Sequence, residues 1–224
     1  LNSMQVEVVG AVKKVPASTE ASPELAEASP ELFDGNREQY GERINTKAKP
    51  SVSSTSQYDP ANGLKQLVQG ADNGLPFAFH TQSEEQPWVQ FSYTNAVKLN
   101  AICIRNRGNL TERADGLALQ SSLDGKRWND VWKSSVIKAV WNLDLTPLPE
   151  EVRKAKYFRL ILSRDGHSTL HLGQVRMWGE ENVPIKEPTT AKTGQGDWTY
   201  EVVSDWGKVP GHDHIGSTHG GIVI

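Results

Sequence analysis

The chain has 224 residues, 37% of them hydrophobic and 23% charged, with a formal net charge of −3. That length holds one sizeable domain with flanking pieces rather than two complete domains. The negative balance argues against nonspecific attraction to nucleic acid or to an anionic membrane. A mean hydropathy of −0.53 implies that some stretches stay outside any core. The single cysteine, Cys103, leaves no intrachain disulfide to form, and no run is long enough to span a bilayer as a helix. Seven Trp against five Phe is a high tryptophan share, which suits sugar stacking and sandwich cores alike.

In chain order, Val6-Glu7-Val8-Val9 opens a short strand-like run. Residues 16–30 are then rich in Ala, Ser, Glu and Pro, and Ala-Ser-Pro-Glu-Leu occurs at both 21–25 and 28–32. The proline in each copy breaks a coiled coil, although Ser-Pro-Glu suits the start of a short helical turn. Residues 1–46 are therefore expected to be a linker or N-terminal extension that packs few apolar side chains. The start, Leu1-Asn2-Ser3-Met4, is no signal peptide, and both ends are expected to be cut from a larger protein.

From 47 to 180 the texture changes to short β-rich runs separated by Gly, Asn, Asp and Pro clusters. Strands are expected at 51–55, 88–93, 99–105, 116–122, 128–132, 139–143, 157–163 and 174–178, with one helical turn within 149–156. Val89, Phe91 and Tyr93 alternate with polar neighbours, as do Phe158, Leu160 and Leu162, which is the period of a half-buried antiparallel strand. About eight such strands without a long amphipathic helix predict an all-β, antiparallel jelly-roll sandwich. Residues 181–196 read as a second linker, and 197–224 hold too little sequence to bury a core, so they are expected to begin a further domain.

Five pieces of the middle segment, in order, carry a family resemblance. They are Lys49-Pro50-Ser51-Val52-Ser53-Ser54, Trp88-Val89-Gln90-Phe91, the hairpin Ser122-Leu123-Asp124-Gly125-Lys126-Arg127-Trp128, Ala155-Lys156-Tyr157-Phe158-Arg159-Leu160 and Leu172-Gly173-Gln174-Val175-Arg176-Met177-Trp178-Gly179. Together they resemble the discoidin family, also known as the coagulation-factor C-type domain, which includes the family 32 carbohydrate-binding modules. Asp124-Gly125 supplies the positive φ of a tight hairpin, and Trp128 is expected to plug the core between the sheets, with Trp88, Trp132 and Trp178 also packing. Gly196-Asp197-Trp198-Thr199-Tyr200-Glu201-Val202 with Trp206-Gly207-Lys208-Val209-Pro210 is similar to the first blade of six-bladed β-propellers of NHL-type repeats, which implies a covalently linked propeller.

The resemblance implies a noncatalytic lectin-like module of a secreted or cell-surface protein of bacterial type, holding a glycan at loops on one end of the jelly roll. Arg and Asn fork onto vicinal hydroxyls, and an aromatic ring stacks on the C–H face of a sugar. Arg107 and Asn109 are the leading candidates, expected together in a solvent-open depression. Arg113, His80 and Tyr58 follow, although many relatives use this arginine in an internal salt bridge and His80 also suits a core position. His171, within an apolar run, reads as structural. Relatives often bind calcium, for which the corresponding residues are Gln69, Asp72, Asn73 and Gln174. Glutamines at 69 and 174 stand where carboxylates are usual, so the expectation is either a weak calcium site or an amide-bridged loop without metal. His212, His214 and His219 suit a borderline metal or a solvated loop. No Gly-x-Ser-x-Gly, P-loop or nucleophilic cysteine arrangement occurs. The competing readings are a lipid- or protein-binding adhesion module using Leu64, Leu75, Pro76 and Phe77 as apolar spikes, and a structural spacer beside an enzyme.

Overall fold

The computed structural model describes residues 29–69 and 75–184, and the backbone of two further strands. The chain divides into two units, Leu1–Val183 and Pro184–Ile224. Within the first unit α1 is Pro30–Gly35, α2 Arg37–Tyr40, β1 Glu42–Arg43, β2 Lys49–Val52, α3 Gly63–Gln69, β3 Glu84–Glu85 and β4 Trp88–Asn106. There follow β5 Leu117–Ser122, β6 Asn129–Lys133, β7 Val140–Asp144, α4 Glu150–Arg153, β8 Lys154–Leu162, β9 His167–Ser168 and β10 Leu172–Glu180. The second unit holds β11 Ala191–Gln195 and β12 Trp198–Val202, an antiparallel pair. β11 lies in a stretch expected to be linker.

The sandwich is organised by β4. Its first half pairs with β2 and β8, and its second half with β10 and β7; the β8 pairing is interrupted between Ser92 and Val97, resumes at Val97 and Lys98, and the strand passes to the other sheet from Lys98 onward. One sheet is therefore β2-β4-β8-β5-β6 and the other β1-β10-β4-β7. The two runs expected at 88–93 and 99–105 are one bent strand of 19 residues. Val89, Phe91, Ile102, Ile104, Leu117, Leu119, Phe158, Leu160, Leu162, Val175 and Met177 fill the space between the sheets. Their alternation is the reason these segments are strands and not helices.

Two expectations are corrected. Residues 29–45 are not a loose linker: α1 and α2 form a strap against the outer face of β4 and β10, and β1 joins the sheet by pairing with β10. Phe33 is 0% exposed and packs on Tyr40 (4.8 Å between centroids) and Trp178 (5.1 Å) over Ala101 and Cys103. The Trp178 indole donates to Asp34 (2.8 Å) and the Tyr40 hydroxyl to Asp144 (3.1 Å). Gly41 has φ +80°, and a Cβ there would run into the Gly179 carbonyl, so glycine is required where the strap enters the sheet. Two aromatic rings are enough to anchor a segment whose average composition is polar.

Trp128 is the second correction. It does not plug the core; it is half-buried on the outside, with the Arg159 guanidinium 4.0 Å from its ring. Trp132, as expected, and Trp141 are the tryptophans of the core between the sheets, 6.2 Å apart; the Trp141 indole N–H donates to Ser134 Oγ (3.1 Å) and to the Val136 carbonyl (3.2 Å). The hairpin itself forms as expected, with Gly125 at φ +72° and Asp124 Oδ1 accepting from the N–H groups of Lys126 and Arg127 (both 2.8 Å).

Candidate functional site

Four chain segments meet where β4 ends. The loop after β4 carries Arg107, Asn109 and Arg113. The segment before β10 carries His171, while 75–82 supplies Phe77 and His80 and the loop after β2 supplies Ser56, Tyr58 and Asp59. Backbone bonds hold these together: Ala78 N–H donates to the Leu172 carbonyl (2.7 Å), Thr81 N–H to Leu170 (3.1 Å) and Gly108 N–H to Pro76 (2.7 Å). The Asn106 amide adds bonds to the Thr111 and Lys138 carbonyls, fixing the departing loop against the start of β7.

Arg107 lies at the centre. It is 6% exposed, so the expected open depression holding both Arg107 and Asn109 is not formed; Asn109 is exposed and Arg107 lies beneath it. Asn109 Oδ1 accepts from Arg107 Nε (2.9 Å) and Nη2 (2.6 Å), while Nη1 donates to Nε2 of His171 (2.7 Å). The guanidinium sits 5.0 Å from the centroid of Phe77. Its partners are thus an amide, an imidazole and a ring, and among the described residues no carboxylate lies within ion-pair distance of it. Burial, with help from the nearby Arg113, lowers its pKa from the ordinary arginine value.

The two histidines stack at 5.0 Å with 20° between their planes. His171 is 3% exposed, and burial first, then Arg107, His80 and Arg113, push its pKa down to about 3. It is therefore neutral, and because its Nε2 accepts from arginine its proton sits on Nδ1, which meets no acceptor among the described residues. His80 carries its ring proton on the same atom. Its Nδ1 is 2.7 Å from the Thr81 carbonyl, so that nitrogen donates and Nε2 is left as the other ring edge. Ser56 Oγ lies 3.1 Å from the same Nδ1, and Asp59 accepts from the His80 backbone N–H (2.7 Å). Tyr58, 65% exposed, stands 5.8 Å from the His80 ring. Arg113 is exposed, and its side chain makes no hydrogen bond or ion pair among the described residues, so the internal salt bridge weighed for it is not formed there.

The residues weighed for calcium are placed differently. Gln69 is exposed at the end of α3, and Gln174 Oε1 accepts from the Arg176 guanidinium (3.1 Å). The neighbouring Val68 carbonyl is taken by the Asn45 amide (2.5 Å). Neutral amides are weaker ligands for a hard cation than the carboxylates usual at such sites. Asp72 and Asn73 lie outside the described residues, as do His212, His214 and His219.

Fold and site define an all-β jelly-roll module that carries a polar and aromatic cluster on the loops at one end of the sandwich. The F5/8 type C domain family matches residues 51–172, more than half of the chain, and the chain belongs to that family. No curated protein matches it. Among solved structures it is similar to a fucolectin from striped bass (Morone saxatilis) serum, at 14% identity over 62% of this chain and 48% of that one, with a TM-score of 0.50. It is similar to the CBM32-1 and CBM32-2 domains of Clostridium perfringens ZmpB at 14% identity, 69% and 40% coverage, TM-score 0.50. A Streptococcus pneumoniae fucose binding module follows at 21% identity, 62% and 95% coverage, TM-score 0.48. The chain spans about half the length of the fucolectin. These are likenesses of fold. The family match ends at Leu172, and nothing in these comparisons supports the propeller resemblance of the tail. Among the described residues no helix is long and apolar enough to cross a membrane.

Proposed function

We propose that this chain is a noncatalytic carbohydrate-binding module whose site is the cluster of Arg107, Asn109, Arg113, His80 and Tyr58, in a protein working outside the cell. The observation that carries the reading is Arg107, a nearly buried cation held by neutral partners alone. Burying a charge without a counter-ion costs free energy, and a ligand rich in hydroxyl acceptors offsets that cost. Three of its five N–H groups are engaged, leaving one on each Nη. Arg113 and the Asn109 amide add exposed donors, and His80 Nε2 supplies the acceptor that a sugar hydroxyl needs. Tyr58 offers an exposed ring for the C–H face of a pyranose. Membership of the F5/8 type C family and likeness in fold to a fucolectin support the same reading.

The test is a glycan array with the full chain, followed by titration of the best hit into variants. Arg113→Ala should weaken binding about tenfold with the melting temperature unchanged, since it removes a donor that holds nothing in place. Arg107→Ala should abolish binding and in addition cost about 1.5–3 kcal/mol of stability, because it strands His171 and Asn109. No retained glycan, or an Arg113→Ala variant that binds as wild type, would overturn the reading. A second reading, an adhesion module, is favoured by Leu75 and Leu110, both exposed near the site. Binding to lipid vesicles without sugar headgroups is the outcome that would select it.

A further inference from the structure

We infer that His171 is the positioning residue of this site, fixing the guanidinium of Arg107 and the ring plane of His80 without itself touching the ligand. The inference rests on the carbohydrate-binding reading above. The guanidinium is clamped along two edges: Asn109 Oδ1 takes Nε and Nη2, and His171 Nε2 takes Nη1 at 2.7 Å. With only the asparagine, on an exposed loop, Arg107 would be free to follow that loop. The histidine ties it instead to the segment leading into β10, within the sandwich. The same imidazole lies flat against His80 at 5.0 Å, so one buried ring sets both the donor and the acceptor of the site.

Packing alone does not account for a histidine here. Its neighbours Leu170 and Leu172 are buried, and a leucine or methionine would fill such a place without bringing a polar N–H into it. His171 carries a buried Nδ1 proton that no described residue accepts, and it carries that proton because Nε2 is committed to Arg107. Burial and the cations Arg107 and Arg113 keep the ring neutral, which preserves the lone pair on which the clamp depends.

The experiment pairs His171→Gln, whose side-chain oxygen can reach the place of Nε2, with His171→Met, which fills volume without an acceptor. Two quantities are read on the full chain: solvent exchange of the Arg107 Nε–H by nitrogen-15 NMR without ligand, and affinity for the best glycan of the array. His171→Met should speed the exchange and weaken affinity, each about tenfold, while His171→Gln stays within about threefold of wild type in both. A folded His171→Met protein with wild-type exchange overturns the inference, as does a folded His171→Gln protein that loses both properties. If neither variant folds, His171 is structural and the inference fails. Should the wild type retain no glycan, the carbohydrate reading fails by itself, and the exchange measurement still decides the role of His171.

Discussion

Two parts of the molecule meet the same pair of sheets by different means. The strap at 29–45 is held by rings: Phe33 and Tyr40 cover Trp178, and two hydrogen bonds to Asp34 and Asp144 set the orientation. The Asn100 amide also reaches the Tyr40 carbonyl (3.4 Å) while its oxygen accepts from Arg153 (2.6 Å). The loop cluster around Arg107 is held by polar groups on polar groups, an arginine between an amide and an imidazole. Apolar burial is nondirectional and tolerates an imprecise segment. A guanidinium clamp fixes direction and leaves donors to spare. The strap is built to stay in place, and the loop cluster to present chemistry.

The largest expected effect breaks the strap. Phe33→Ala should destabilise the domain by about 3–5 kcal/mol, the usual loss for emptying a fully buried aromatic site, measured by chemical denaturation. A loss under about 1 kcal/mol would mean that the segment is the linker its composition suggests, and that the contrast drawn here is false.

Acid addresses the loop cluster in the same way. His171 has a folded pKa of about 3 against an ordinary 6.5, so between those values the unfolded chain binds the extra proton. The contribution is therefore complete above pH 6.5 and is lost as pH falls towards 3, with a slope of up to about 1.4 kcal/mol per pH unit. The groups facing it are Arg107, Arg113 and His80, all of which oppose protonation. Comparing wild type with His171→Gln over pH 7 to 4 isolates this slope, and parallel stability curves would show that His171 takes up no proton on unfolding.

The contrast also explains what could be read from the sequence. The alternation of Val89, Phe91 and Tyr93, and of Phe158, Leu160 and Leu162, reports one buried face directly, and those strands stand where the pattern put them. The bend within β4 left no such mark, because an irregularity between Ser92 and Val97 joins two alternating runs. The strap was hidden by averaging, since two aromatic rings seven residues apart are lost among Pro, Ser and Glu. Trp128 misled because half-buried and core tryptophans have the same sequence signature. At the site, Arg107, Asn109, Arg113, His80 and Tyr58 stood out as polar and aromatic residues in loops. His171 did not, since it lies 64 positions from its arginine within an apolar run that reads as core. Phe77, read only as an apolar spike, was hidden in the same way; its place beneath the guanidinium depends on the fold.

The smallest expected effect concerns calcium, and it sharpens the contrast by asking whether an ion contributes to holding either region. Gln174 spends its oxygen on Arg176 and Val68 spends its carbonyl on Asn45, so a cation arriving there would displace existing bonds and sit beside a guanidinium. A site of that quality should bind no tighter than about millimolar, in the range of weak extracellular calcium modules. By mass action, calcium at a concentration equal to its dissociation constant stabilises a protein by about 0.4 kcal/mol. For a chain of this size that corresponds to a rise of roughly 1 °C in melting temperature. Thermal denaturation of the full chain in 1 mM calcium and in chelator should therefore give nearly superimposable curves. A shift of 10 °C or more would show that Asp72 and Asn73 complete a strong site with backbone oxygens, and that an ion, like the rings of the strap, fixes part of this sandwich in place.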